Sequence, residues 1–62
     1  MQDFIVFGKF GQFIVTAETW VRAVQVVVSQ TNAYARDCYA HDLSGYNEKL
    51  RKRLLRESKR LA

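Results

Sequence analysis

The chain has 62 residues, 48% hydrophobic, 26% charged and 13% aromatic, with three glycines, no proline and one cysteine. That length holds one small domain (1–62), which hides only about 60% of its unfolded surface; the apolar content excludes a disordered tail, and the lone Cys38 excludes an internal disulfide and the secreted, disulfide-stapled class. The formal charge of +4 is unevenly laid out: residues 46–62 carry seven basic against two acidic side chains, a net of +5, while residues 1–45 net −1.

Residues 3–16 read as a β-hairpin. Phe4-Ile5-Val6 recurs as Phe13-Ile14-Val15, two strand-favouring triplets of β-branched and aromatic residues, with Gly8-Lys9-Phe10-Gly11 between them. Gly8 and Gly11 can take the positive φ that a tight turn needs. Pairing them sets Val6 opposite Phe13, Ile5 opposite Ile14 and Phe4 opposite Val15. One face then carries Phe4, Val6, Phe13 and Val15, and the other Ile5, Phe7 and Ile14 beside Asp3, Gln12 and Thr16. A hairpin with one wet side alternates apolar with polar, and this one is apolar on both sides. Two helices of one chain look too few to cover both. A second copy of the chain is the simplest cover, so a homodimer is expected, with Phe4, Val6, Phe13 and Val15 at its interface.

Residues 17–42 read as one long helix. Thr16 offers a cap, and Glu18 falls in the first turn, where the helix dipole favours a carboxylate. Trp20, Val24, Val27, Thr31, Tyr34 and Cys38 follow the spacing of a buried stripe, widened by Val21, Val28 and Ala35. Arg22, Gln25, Ser29, Asn32 and Arg36 trace a polar stripe on another side. Val26 falls off the apolar stripe and joins the expected oligomer interface. Against helix stand the four valines among residues 24–28, which favour strand locally.

Asp42-Leu43-Ser44-Gly45 breaks the pattern, and Ser44 can cap a second helix over residues 46–61, with Glu48 near its positive end. Leu43, Tyr46, Leu50, Leu54 and Leu61 give it a narrow apolar edge. Basic residues cover most of its remaining circumference. The fold class expected is therefore α+β in ββαα order: hairpin, long amphipathic helix, basic C-terminal helix.

Catalytic chemistry finds little to stand on. Gly8-Lys9-Phe10-Gly11 lacks the length and the GK[ST] ending of a phosphate-cradling loop. Cys38 and His41 have the Cys-x-x-His spacing of two zinc ligands, yet no further cysteine or histidine exists to close a site within one chain. Cys38 on an apolar stripe is more often a small buried hydrophobe than a nucleophile. No enzyme activity, metal or cofactor is expected.

The basic helix carries the functional expectation. Lys49, Lys52, Arg53, Arg56, Lys59 and Arg60 recur at spacings of three and four, so several can face one phosphate backbone together, and Arg51 adds to the set. Each phosphate they neutralise releases counterion, giving affinity without sequence reading, and arginine adds bidentate contacts. The expected function is non-enzymatic nucleic-acid binding, DNA ahead of RNA. A regulatory or architectural DNA-binding dimer of phage, plasmid or bacterial type, acting in transcription regulation, fits that pattern. The alternative, from another class, is a protein-interaction module or viral inhibitor that meets an acidic host protein through hairpin and basic helix. No apolar run approaches the ~20 residues of a membrane span, and the N-terminus lacks a cleavable leader, so a cytoplasmic setting without integral membrane association is expected.

Overall fold

The computed structural model describes all 62 residues and has an α+β fold. Strands β1 (Gln2–Gly8) and β2 (Gly11–Ala17) form the hairpin, followed by helix α1 (Trp20–Thr31), strand β3 (Tyr39–Asp42), helix α2 (Glu48–Glu57) and the short strand β4 (Lys59–Arg60). The sheet order is β3-β1-β2-β4. β1 pairs antiparallel with both β2 and β3, while β4 runs parallel to β2.

The hairpin forms in the register its glycines dictate: Gly8 faces Gly11, Val6 faces Phe13, Ile5 faces Ile14 and Phe4 faces Val15. Of the two glycines only Gly11 has positive φ, at +129°, so it alone absorbs the strain of reversing the chain. Both hairpin faces are buried, and both by helices of the same chain. On one face Phe4, Val6, Phe13, Val15 and Ala17 pack with Ala23 and Val27 of α1. On the other, Ile5 and Ile14 pack with Leu43 and with Leu54 of α2, flanked by Phe7, Tyr46 and Leu50.

This arrangement corrects the assignment of Phe4, Val6, Phe13 and Val15 to an oligomer interface. Phe4, Val6, Phe13 and Val15 are core residues under α1, and Val26 packs half-buried at the edge of the same cluster. The two-faced hairpin thus needs no second copy to cover it. Two short helices suffice because each lies on its own side of a sheet only four strands wide.

The long helix expected over residues 17–42 is also corrected. Thr16 belongs to β2, where its hydroxyl donates to the Asp3 carboxylate, and the cap is Thr19, whose side chain accepts from the Arg22 amide at 3.2 Å. Glu18 therefore precedes the helix. At the other end Asn32 turns left-handed (φ 60°), a conformation asparagine tolerates, and its amide closes on the Val28 carbonyl. The chain then passes through a 3-10 turn (Ala35–Asp37) into β3, which pairs along the outer edge of β1. Trp20 and Tyr34, expected on the buried stripe, are exposed, while Cys38 reaches the α1-side core from the approach to β3. The order is thus ββαβαβ rather than ββαα.

The C-terminal helix is shorter than residues 46–61. Its cap is Asn47, accepting from the Leu50 amide at 2.8 Å; Ser44 instead donates its amide and hydroxyl to Asp42 in the turn before it. Beyond Glu57 the chain becomes strand. The Leu61 amide donates to the Ile14 carbonyl at 2.9 Å, and the Thr16 amide donates to the Ala62 carbonyl at 2.9 Å, so the terminus covers the β2 edge. Leu61 packs against the α1-side cluster, whereas Leu43, Tyr46, Leu50 and Leu54 serve the α2 side.

Candidate nucleic-acid interface

α2 is a helix of strong formers, docked by Leu50 and Leu54. Residues three and four apart share a helical face, so Lys49, Lys52, Arg53 and Arg56 form one continuous stripe on the solvent side of α2, with Arg53 and Lys49 nearest the Leu50–Leu54 seam and Lys52 opposite it. All four are exposed, and together with Asn47 and Leu50 they line a shallow depression.

Two acidic residues lie within reach of the stripe. Glu48 pairs with Lys52 at 3.3 Å and Glu57 with Arg53 at 3.1 Å, both at the i, i+4 spacing that stabilises an exposed helix by about 0.3–0.5 kcal/mol. Pairs so weak and so exposed yield readily to a phosphate. They hold the cationic side chains extended along the helix without neutralising Lys49 or Arg56, which have no acidic partner.

The other three basic residues expected at the site lie apart from this stripe. Arg51 projects on the opposite flank of α2, half-buried, where it lines a depression with Gln2, Asp3, Asp42, Leu43 and Ser44. Lys59 lies on β4 beside Phe13 in the register. Arg60 is committed to structure: its guanidinium donates to the Thr16 hydroxyl at 3.1 Å and to the Ala62 carbonyl at 3.3 Å, and lies 3.9 Å from the Asp3 carboxylate. It pins the C-terminal strand to the hairpin.

Sequence reading missed a second set of side chains on the α2 side of the sheet. β3 sets Tyr39 beside Phe7 and His41 beside Ile5, so Phe7, Tyr39 and His41 project from the face that carries Ile5. Phe7 meets His41 edge-on, with ring centroids 6.0 Å apart at 63°. Tyr39-Ala40-His41-Asp42 has no apolar–polar alternation in sequence, and its alternating exposure arises only from pairing with β1.

Cys38 and His41 are not brought together as ligands. Cys38 packs toward α1 and His41 lies on the opposite face, and no group of three or more His, Cys, Asp or Glu side chains is placed to hold a metal ion. No helix is long and apolar enough to cross a membrane. Protein-family models, curated proteins and solved structures were all compared with the chain, and none matches.

Proposed function

We propose that the chain is a non-enzymatic nucleic-acid-binding protein that holds a phosphate backbone on the exposed face of α2. The observation that carries this reading is the stripe Lys49, Lys52, Arg53 and Arg56: four cations on one face of one helix, in a chain whose first 45 residues net −1. Arginine supplies forked, bidentate contacts to phosphate oxygens, and lysine supplies point charges. Arg51, Lys59 and Arg60 are outside the contact set.

An acidic protein surface is the other partner such a stripe suits, and the exposed Trp20, Val21 and Tyr34 on and just beyond α1 give that reading a second apolar contact area. Binding to a polynucleotide separates the two, and its salt dependence tests the phosphate contacts. Four phosphate contacts give a slope of log K against log[salt] of about −2.8 for a single strand to −3.6 for a duplex, so affinity for a nucleic acid falls roughly 50- to 150-fold between ~50 and ~200 mM salt. The charge reversal Lys49→Glu/Arg53→Glu abolishes binding, whereas Lys59→Glu leaves most of it. Absence of any polynucleotide binding at ~50 mM salt refutes the proposal.

A further inference from the structure

α2 covers the sheet obliquely. It starts after the turn Leu43–Gly45, at the end of β3 remote from the hairpin turn, and finishes beside β2, where the Gln12 amide donates to the Ser58 hydroxyl at 3.2 Å. Leu50 and Leu54 lie over Ile5 and Ile14. The corner of this face where β1 and β3 approach the hairpin turn is left open. There Phe7 is half-buried, and His41 and Tyr39 are exposed, Tyr39 at 66%.

The flanks of α2 can be assigned from the same contacts. Arg51, on one side of the leucine seam, lies over Gln2, Asp3 and Asp42, at the end of the sheet remote from the hairpin turn. Lys49 and Arg53 flank the seam on the other side and so face the open aromatic corner. Lys9 stands at the far rim of that corner, which it lines with Phe7, Gly8, Asp37 and Tyr39.

We infer that the nucleic acid bound by the α2 stripe is single-stranded, with its bases stacked on Phe7, Tyr39 and His41 while its phosphates follow Lys49, Lys52, Arg53 and Arg56. This inference rests on the nucleic-acid reading of the stripe. Cations beside exposed rings on a sheet are the combination that single strands use: the backbone tracks the charge, and unpaired bases stack on π-faces that paired bases in a duplex cannot reach. Lys9 and Asp37 at the rim of the aromatic corner offset one another, so the corner carries no net charge and offers its rings rather than a cationic surface.

The test compares the intact protein with a labelled oligothymidylate, a labelled oligouridylate and a duplex of equal length, by fluorescence anisotropy at two salt concentrations. The two single strands distinguish DNA from RNA as the source of the same chemistry. Single strands are expected to bind at least about tenfold tighter than the duplex. Tyr39→Ala is expected to lose about tenfold on the single strands, the effect of removing one stacking ring, and to leave duplex affinity unchanged. Tyr39→Trp retains single-strand binding, and His41→Ala loses part of it. Both positions are exposed, so circular dichroism and melting should match the parent protein. Duplex binding as tight as single-strand binding, or a silent Tyr39→Ala, overturns the inference and leaves the basic stripe standing. Failure of every polynucleotide to bind at ~50 mM salt overturns both readings and gives the stripe to an acidic protein.

Discussion

The two faces of the sheet are closed by helices of opposite character. α1 lays Ala23 and Val27 into a seven-residue cluster with Phe4, Val6, Phe13, Val15 and Ala17, and Val26, Cys38, Ala40 and Leu61 seal its margin. α2 reaches a four-residue cluster through Leu54, with Leu50 only half-buried, and spends the rest of its surface on charge. The α1 layer is where stability resides. The α2 layer is held by fewer buried side chains, and it leaves one corner of the sheet open. A small fold thereby separates the residues that hold it together from those free to meet a partner.

Removing a ring from the α1 face is the most severe way to probe this asymmetry. Phe13→Ala deletes a buried side chain and should cost about 3–5 kcal/mol. A domain of this size has only roughly 3–9 kcal/mol in total. Urea denaturation followed by circular dichroism should therefore show the variant losing at least about a third of the parent's stability. A loss under about 1 kcal/mol would mean that the α1 face is not the main core.

Leu54→Ala makes the matching cut on the α2 face. About 2–3 kcal/mol is expected, near the low end for a buried leucine, because its neighbours Leu50 and Tyr46 are themselves partly exposed and can shift to fill the space. Hydrogen exchange sharpens the comparison: amides of α2 should lose protection while those of β1 and β2 keep most of theirs, the signature of a locally opening element. Uniform loss across both layers would show that the two clusters unfold as one, and that the α2 layer is not the weaker partner.

How much of this was legible in the sequence follows from how local each signal is. The hairpin and its register were readable because the FIV repeat and two glycines act within a dozen residues. The α2 stripe was readable for the same reason, since spacings of three and four need only a helix. The end of α1 was not. Val24, Val27, Thr31, Tyr34 and Cys38 keep helical spacing past the point where Asn32 turns left-handed, and only the empty edge of β1 makes strand the better state for Tyr39–Asp42. That edge pairing is non-local, as is the parallel docking of Lys59 and Arg60 on β2. The expectation of a second subunit has a related origin: a two-stranded hairpin apolar on both faces calls for more cover than two helices promise, and the pairing of β3 and β4 that widens the sheet is non-local. The aromatic corner of the candidate site disappeared with β3. Arg60 was assigned to phosphate because its partners, Asp3 and Thr16, lie more than forty residues away in the chain.

The smallest expected effect concerns Cys38, where β3 joins the α1 face. Its thiol packs against the α1-side cluster and donates to the Tyr34 carbonyl at 3.5 Å. Burial pushes its pKa above the usual thiol value, and the adjacent Asp37 carboxylate adds to the rise. A pKa raised in the folded state gives stability that is complete below the unfolded thiol value and is lost as pH climbs through the folded one, so the loss falls entirely on the alkaline side. Below that range the thiolate is scarce, and alkylation by iodoacetamide should run slower in the native protein than in the urea-unfolded chain at the same pH. Asp37→Asn should bring the titration only part of the way back, since burial is the larger cause. If thiolate absorbance instead titrates alike in native and unfolded protein, Cys38 is not held against α1. The junction that starts β3 would then be loose, and the corner of Phe7, Tyr39 and His41 beside it would lack the rigidity that the proposed stacking requires.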